Sequence, residues 1–193
     1  MGWNLSMGWT FRRLTRVDFG LLGEWLADPE VARWWCHDSD LAAVERDFGA
    51  GVDGDEPGED LVAEIDGRAV GLVQRSRVGD YPEDEAHFRR LLPDLPVGAR
   101  TLDYLVGAPA DRGHGVGAAM IDAAARDTFD RYPDAPCVVV AVVAANRRSW
   151  RACERAGFRI VATGDIPPDN PIDDPRHHVL RRDRGDHAEP DSC

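Results

Sequence analysis

The chain has 193 residues, a length typical of one domain with a full hydrophobic core. Its 23 basic residues are all arginine, and with 35 acidic residues the formal net charge is −12. The absence of lysine excludes Schiff-base, phosphate-loop and kinase-type lysine chemistry. The negative charge argues against nucleic acid as a partner and favours a cationic small molecule or peptide.

The cysteines are too few and too scattered for a metal or redox motif. Cys36, Cys137, Cys153 and Cys193 form no C-x-x-C pair, so neither a metal site nor a thioredoxin-like site is expected. Two of them fall in apolar or helix-like runs, as buried free thiols do, which favours a reducing compartment. No segment is apolar for long enough to span a membrane, and no signal peptide is recognisable. These features predict a cytoplasmic protein.

The first third of the chain predicts two helices. The segment Thr15–Asp18 has the character of a capping box, and apolar residues follow it at helical spacing. The pair Asp28-Pro29 interrupts this helix. A second helix is predicted to begin at Ser39 and to end at Gly49 and Gly51.

The middle of the chain predicts a β-hairpin between two irregular segments. Residues 53–60 hold five acids, two glycines and a proline, which is typical of a solvated loop. Two β-rich runs then flank Asp66-Gly67, a strong hairpin-turn signal. Residues 79–99 are predicted to be irregular, and such a long excursion is often a binding loop.

The second half predicts alternating strands and helices. A strand over 99–107 leads through a glycine-rich turn into an amphipathic helix, and an apolar run over 136–144 predicts a strand buried on both faces. A helix over 146–156 and one or two further strands complete a mixed α/β domain. We expect one domain over residues 10–182, followed by a polar, disordered tail over 183–193.

The glycine-rich turn has the chemistry of an anion site. The segment R-G-H-G-V-G (residues 112–117) places three glycines between a strand and a helix. Their backbone lets a ligand approach closely, and the N–H groups at the helix N-terminus favour a phosphate or pyrophosphate. Arg112 adds a charge-assisted contact. The segment is neither a Walker loop nor a G-x-G-x-x-G loop, and taken alone it also fits a flexible turn.

Two motifs together resemble the GNAT acetyltransferase superfamily. The segment R-G-H-G-V-G resembles its motif A, and N-R-R-S-W-R-A-C-E-R-A-G-F (residues 146–158) resembles its motif B. The resemblance implies a central mixed β-sheet, splayed in the middle and flanked by helices, with acetyl-CoA in the cleft. A backbone N–H near Val106 would polarise the thioester carbonyl. The implied cofactor-binding residues are Leu105, Val106, Arg112, Gly113, His114, Gly115, Val116, Gly117, Ala118 and Asn146.

A narrower resemblance is to the aminoglycoside 6'-N-acetyltransferases. It rests on W-L-A-D-P-E-V-A-R-W-W (residues 25–35), A-V-G-L-V-Q (residues 69–74) and T-L-D-Y (residues 101–104). The resemblance implies that Asp103 is the active-site carboxylate, which accepts a proton from the amine. We expect the acceptor to contact Trp34, Trp35, Tyr81, Glu83, Asp84, Glu85, Asp103 and Tyr104. Several of the predicted site residues also have a purely structural explanation. Asp103 fits a solvated position on a half-buried strand, and Trp34 and Trp35 fit core packing. Asn146, predicted above to bind the cofactor, also fits a helix cap.

The chain departs from these families at two positions. Cys153 stands where the GNAT motif often has a tyrosine that acts as the acid, so Tyr104 or water is left for that role. Ala141 stands where the aminoglycoside enzymes often have an aspartate before the motif-B asparagine. A second acceptor-binding carboxylate is therefore either lost or supplied by residues 79–99.

Three functions remain open from the sequence. The first is direct acetyl transfer, in a ternary complex, from acetyl-CoA to the 6'-amine of an aminoglycoside. The second is acetylation of another amine, such as a siderophore lysine or a protein amine. The third is a binding module that holds an acyl-CoA without turnover. The sequence leaves open whether the protein is a monomer or a homodimer.

Overall fold

The computed structural model describes residues 8–186, in which seven strands form one sheet flanked by helices. The strands are β1 (Trp9–Arg13), β2 (Glu59–Ile65), β3 (Arg68–Arg77), β4 (Arg100–Val106), β5 (Cys137–Val143), β6 (Arg159–Asp165) and β7 (Arg176–Asp183). The helices are α1 (Phe19–Leu26), α2 (Pro29–Trp35), α3 (Leu41–Asp53), α4 (Pro82–Leu91), α5 (Val116–Arg131) and α6 (Arg147–Arg155). The predicted tail begins on the last residue of β7, and its part from 187 onward lies outside the described residues.

The sheet is divided in its middle. The strand order is β1-β2-β3-β4-β5-β7-β6, and all neighbours are antiparallel except β4 and β5. These two parallel strands pair only at Arg100 with Val138 and at Thr101 with Val139. From Leu102 onward one edge of β4 is open. The mixed α/β sheet and its splay are as expected.

The two faces of the sheet are covered by different helices. On one face, Met120 and Phe129 of α5 pack with Leu102 of β4 in the largest core cluster. On the other face, Trp25 of α1 and Phe48 of α3 pack against the sheet in a second cluster, which includes Leu105. Because side chains alternate along a strand, β4 sends Leu102 and Tyr104 toward α5 and α6, and Asp103 and Leu105 toward α1 and α3.

The structure corrects the predicted helix boundaries in the first third. Asp28 does interrupt the first helix, but its side chain accepts from the N–H of Glu30 and caps α2, with Pro29 in the first position. Asp40, rather than Ser39, caps α3. The glycines at 49 and 51 do not end α3, because Phe48 is buried against the sheet and holds the helix there. The helix ends instead at Gly54, whose φ is +81°.

Two segments predicted to be irregular are partly ordered, and one strand was not predicted. Residues 79–99 contain α4, which places Pro82 in its first turn and buries Phe88. The 53–60 loop gives way to β2, where Glu59 is 5% exposed and pairs with the buried Arg75 at 2.7 Å. Strand β1 adds an edge to the sheet beside β2. Among residues 8–186 no helix is long and apolar enough to cross a membrane.

Candidate active site

A cleft of about 760 Å³ opens where β4 and β5 part. Its walls are α2, the open edge of β4, the glycine-rich turn and one side of α6 from its first residue to its last. Trp34, Trp35, Tyr104, Leu105, Val106 and Asn146 all line it. Parts of four motifs therefore meet at the gap in the split sheet, whereas Asp103 and the predicted acceptor residues at 81–85 are not among the residues that line the cleft.

The glycine-rich turn presents backbone amides to this cleft. Gly113 and Gly115 have φ values of +80° and +87°, which residues with a side chain rarely adopt. Gly115 caps α5 without a side chain, so the first amides of this 16-residue helix receive no cap from it. Gly117 and Ala118 also line the cleft. An anion placed here would meet free N–H groups and the positive end of the helix dipole.

Two residues of the turn, His114 and Val116, are not among the residues that line the cleft, and their contact with the cofactor stays a prediction. The side chain of Val116 is 2% exposed and packs in the core, which leaves only its backbone for a ligand.

Arg112 is engaged by the protein itself. Its Nε donates to the Val106 carbonyl at 3.1 Å, and its terminal nitrogens donate to the Gly107 carbonyl and to Oδ1 of Asp28 at 2.7 Å. The guanidinium lowers the pKa of Asp28. Arg112 also lines the cleft, so the charge-assisted phosphate contact predicted for it stays a prediction. The side chain ties the end of β4 to the cap of α2.

Four of the six arginines that line the cleft come from α6, and the other two are Arg33 and Arg112. Arg147, Arg148, Arg151 and Arg155 line one wall. Arg148 reaches across to Glu30 of α2 at 3.0 Å. Sequence reasoning missed these arginines as ligand residues, although their number on a nine-residue helix of an acidic chain was a visible signal.

The open edge of β4 carries available hydrogen-bond groups. The indole Nε1 of Trp35 donates to the Tyr104 carbonyl at 3.3 Å, and Arg112 takes the Val106 carbonyl. Because the N–H and C=O of one strand residue point to the same side, the N–H groups of Tyr104 and Val106 also face the opening. Leu105 lies between them and faces β3, where it pairs with Leu72.

Asp103 stands on the opposite face of this edge. It is accessible to solvent on one side and surrounded by protein on the others, and the partial loss of hydration raises its pKa to about 7. The negative charges of Asp169 and then Asp84 contribute to the increase. Within residues 8–186 its carboxylate accepts no hydrogen bond from the protein. Gln74, directly opposite on β3, donates to Asp60 instead, at 2.8 Å.

We call Asp84, Asp103 and Asp169 the acidic cluster. Asp84 comes from α4, and Asp169 comes from the segment between β6 and β7. That segment is held by Asp173, whose Oδ2 accepts from Arg33 of α2 at 2.8 Å. Ala141, at the position of the missing aspartate, pairs with Val179 inside the sheet.

The remaining predicted acceptor residues lie near the acidic cluster but differ in their contacts. Glu85 forms an ion pair with Arg89 at 2.7 Å along α4, and Glu83 is exposed. Tyr81 contacts the backbone of Gly58, and burial raises its pKa. Of the four residues predicted from 81–85, Asp84 is the one whose charge acts on Asp103. Asp169 was missed, and no motif marked it.

Tyr104 extends to the other face, toward α6. Its hydroxyl lies 2.7 Å from Ser149 Oγ and 2.9 Å from Cys153 Sγ. Burial raises the pKa of Tyr104 well above its usual range and the pKa of Cys153 to about 12. Cys153 is therefore a buried thiol rather than a nucleophile. Asn146 caps α6 by accepting from the Ser149 N–H at 3.2 Å, while it also lines the cleft.

Comparison with known proteins gives consistent results. Residues 15–166 match the family model described as "Acetyltransferase (GNAT) domain". The chain is 26% identical over 164 residues to an aminoglycoside N(6')-acetyltransferase type 1 from Klebsiella pneumoniae, covering 82% of this chain and 77% of the relative. The same figures hold for a relative of that name from Serratia marcescens.

Solved structures show the same fold. AAC(6')-Ib in complex with paromomycin and acetyl-CoA superposes with a TM-score of 0.80 at 22% identity, covering 96% of this chain and 99% of that one. AAC(6')-Ib with coenzyme A and kanamycin gives a TM-score of 0.78 at 23% identity, covering 93% and 96%. With most of its length matched by the family model, this chain belongs to the GNAT acetyltransferase family.

Proposed function

We propose that this protein transfers the acetyl group of acetyl-CoA to the 6'-amine of an aminoglycoside, directly and in a ternary complex. The observation that carries the proposal is Asp103, a carboxylate with a pKa near 7, in an acidic cluster beside the open edge of β4. The relatives named above support the choice of acceptor, since they are aminoglycoside 6'-acetyltransferases.

The charge of the cleft is complementary to that of coenzyme A. Its phosphates need anion donors, and the amides that follow Gly113 and Gly115 would hold the diphosphate. The arginines of α6 would take the remaining phosphate charge, and Arg147 and Arg155 have no ion-pair partner among residues 8–186. Acetyl-CoA, when bound, supplies a thioester whose carbonyl carbon accepts an amine. The Val106 N–H at the open edge would donate to the carbonyl oxygen.

Asp103 has the properties of the base that this chemistry needs. An ammonium group is not a nucleophile, so a proton must leave the acceptor nitrogen before or during attack. A carboxylate with a pKa near 7 is substantially ionised at neutral pH and still holds a proton well, which is the best range for a general base. An ordinary exposed aspartate would be a much weaker proton acceptor.

The acidic cluster also favours a polycationic acceptor. Asp84 and Asp169 lie close enough to raise the pKa of Asp103, so the cluster carries uncompensated negative charge. An acceptor with several ammonium groups would neutralise it, and a monoamine would do so only in part. Charge complementarity therefore supports an aminoglycoside over a single lysine or a protein N-terminus.

Thiol release from acetyl-CoA tests this proposal. Neomycin and paromomycin form a matched pair, because one carries a 6'-amine where the other carries a 6'-hydroxyl group. We expect turnover with neomycin and kanamycin and none above background with paromomycin. Turnover with a lysine-containing siderophore precursor or a peptide amine, and not with neomycin, would assign another acceptor. Coenzyme A binding without turnover on any amine would indicate a binding module.

A further inference from the structure

We propose that Tyr104 is the catalytic acid, whose hydroxyl donates a proton to the sulfur of coenzyme A as the thiol leaves. This inference rests on acetyl-CoA as the donor and is independent of which amine is the acceptor. It assigns a residue of β4 to a role that the sequence left between Tyr104 and water, since position 153 of α6 is a cysteine.

The hydroxyl group is held firmly at the cleft. Tyr104 lines the cleft, and so does Ser149, whose Oγ lies 2.7 Å from the Tyr104 hydroxyl. Cys153 Sγ lies 2.9 Å from the same oxygen on its buried side. At the backbone, the Trp35 indole holds the Tyr104 carbonyl at 3.3 Å. The tyrosine is thus fixed at its main chain and at its hydroxyl, with α6 supplying both hydroxyl contacts.

The placement of β4 puts an acid and a base on opposite sides of the open edge. Asp103 and Tyr104 are consecutive, so their side chains point to opposite faces of the sheet. In a closed sheet these faces would be separated by β5, but here the gap joins them. A thioester at the open edge would therefore have Asp103 on the side of the incoming amine and Tyr104 on the side of the leaving sulfur.

Other groups in the cleft are poorer donors. The arginines of α6 do not release protons in proteins. Cys153 is fully buried and is not among the residues that line the cleft, so its thiol does not reach the leaving sulfur. The Ser149 hydroxyl holds its proton more tightly than a phenol does, and it is suited to pass a proton on. The Tyr104 phenol is kept protonated by its burial, and unlike the Cys153 thiol it lines the cleft, with the Ser149 hydroxyl beside it to restore the proton.

The proton balance closes without a further reactant. A C–N bond forms and the C–S bond breaks, so the electron pair of the C–S bond stays on sulfur. Tyr104 gives its hydroxyl proton to this sulfur, and the resulting phenolate regains a proton from solvent through the Ser149 hydroxyl. The nitrogen loses two protons as the ammonium becomes an amide N–H, and both pass to solvent, the first of them through Asp103. The products are an amide, a free thiol and one proton per ammonium consumed.

The test compares Tyr104→Phe with one control, Tyr132→Phe, and with Cys153→Ala, which removes one of the two contacts of the Tyr104 hydroxyl. Phenylalanine keeps the ring and removes the hydroxyl. Tyr132 stacks on Arg100 away from the cleft, with 3.6 Å from the guanidinium carbon to the ring centre. Cys153→Ala removes the thiol contact and keeps the Tyr104 hydroxyl. Melting temperatures of all three variants establish that they fold.

The first readout is binding and needs no acceptor. Bound coenzyme A is titrated through its thiolate absorbance, and its affinity is compared with that of desulfo-coenzyme A. We expect Tyr104→Phe to raise the pKa of the bound thiol by about one pH unit, because a hydrogen bond to the charged sulfur is lost. Affinity below pH 6 should stay within twofold, since the neutral thiol does not need the donor. Tyr132→Phe should titrate like the wild-type protein, and Cys153→Ala should change the thiol pKa by less than Tyr104→Phe does, because it keeps the donor hydroxyl and removes one of its two contacts.

The second readout is turnover with neomycin or with whichever amine the acceptor panel identifies. We expect kcat of Tyr104→Phe to fall about 100-fold, at the lower end of general-acid effects because a thiol is a fair leaving group. An unchanged thiol pKa together with a kcat within twofold of wild type would overturn the assignment. Failure of the aminoglycosides as acceptors would refute the proposed acceptor and would leave the thiol titration to decide on Tyr104.

Discussion

Replacing Asp103 with asparagine should slow catalysis and stabilise the fold at the same time. Asparagine has nearly the same shape but cannot accept a proton. We expect kcat/KM for the acceptor to fall on the order of 100-fold, while the affinity for coenzyme A stays nearly unchanged because the cleft is lined by other residues. The wild-type kcat/KM should rise with pH, with a midpoint near 7, as Asp103 loses its proton.

The same perturbation has a stability effect with a defined sign. The folded protein raises the pKa of Asp103 from 3.8 to about 7, so between these values the folded state binds more protons than the unfolded state. The free energy of unfolding of the wild type therefore decreases as the pH rises from about 4 to about 7. In the asparagine variant this contribution to the pH dependence is absent. A shift of this size corresponds to about 4 kcal/mol if none of it is screened. Because the carboxylate is open to solvent, we expect about 1–2 kcal/mol.

Thermal unfolding at pH 5 and pH 8 measures this difference. At pH 8 the melting temperature of Asp103→Asn should exceed that of the wild type by about 3–6 °C, and at pH 5 most of the gain should disappear. Asp130→Asn is the matched control, since Asp130 is an exposed residue of α5 and its replacement removes the same single charge. Equal melting temperatures for the two variants at pH 8, with an unaffected rate for Asp103→Asn, would refute the reasoning.

Three further predictions concern the walls of the site. Asp84→Asn and Asp169→Asn should each raise the KM for the acceptor about threefold to tenfold. Each should also shift the pH midpoint of kcat/KM downward, because a negative charge near Asp103 is removed. A pH profile that coincides with that of the wild type would contradict this prediction. Gly115→Ala and Gly54→Ala should each lower the free energy of unfolding by about 1 kcal/mol, since both positions have positive φ. Calorimetry should show weaker coenzyme A binding for Gly115→Ala and unchanged binding for Gly54→Ala. Arg112→Ala should lower the melting temperature and weaken coenzyme A binding, because the turn loses its tie to α2; unchanged affinity would separate the arginine from the cofactor site.

The second half of the fold could be predicted because its signals are local. A left-handed glycine turn, an apolar strand and a capped helix each follow from a few neighbouring residues, and Asn146 caps α6 with Gly157 at its end as expected. The hairpin turn at Asp66-Gly67 is equally local, with positive φ at both residues.

The predictions for α3 and α4 were wrong because proline, glycine and acidic residues were given more weight than the packing of the helices. In α4, proline and acidic residues suggested a loop, yet Pro82 and the acids occupy the first turn and Arg89 and Arg90 the last, which suits the helix dipole. In α3, the interior glycines carry a propensity cost that burial of Phe48 offsets. In both helices the observed structure depends on packing against the rest of the protein, which cannot be read from one sequence.

Some residues of the candidate site could be predicted from the sequence and others could not. The motif resemblance marked Asp103 and the glycine turn, because these functions depend on a fixed backbone position. Asp169 could not be found, since it reaches Asp103 only through the segment that Arg33 and Asp173 pin against α2. The cationic wall of α6 was visible in the sequence, but which face of the helix borders the cleft follows only from the sheet split.

The two departures from the family pattern gain a common explanation from the topology. At the place of the missing aspartate, Ala141 packs inside the sheet, and the added carboxylates near Asp103 come from α4 and the β6–β7 segment. At the place of the missing tyrosine, Cys153 contacts a tyrosine hydroxyl that comes from β4. Because the split sheet brings several helices and strands together, a carboxylate or a hydroxyl group can reach the same place from a different helix or strand. For this reason a motif position that has lost its usual residue does not by itself show that the activity is lost.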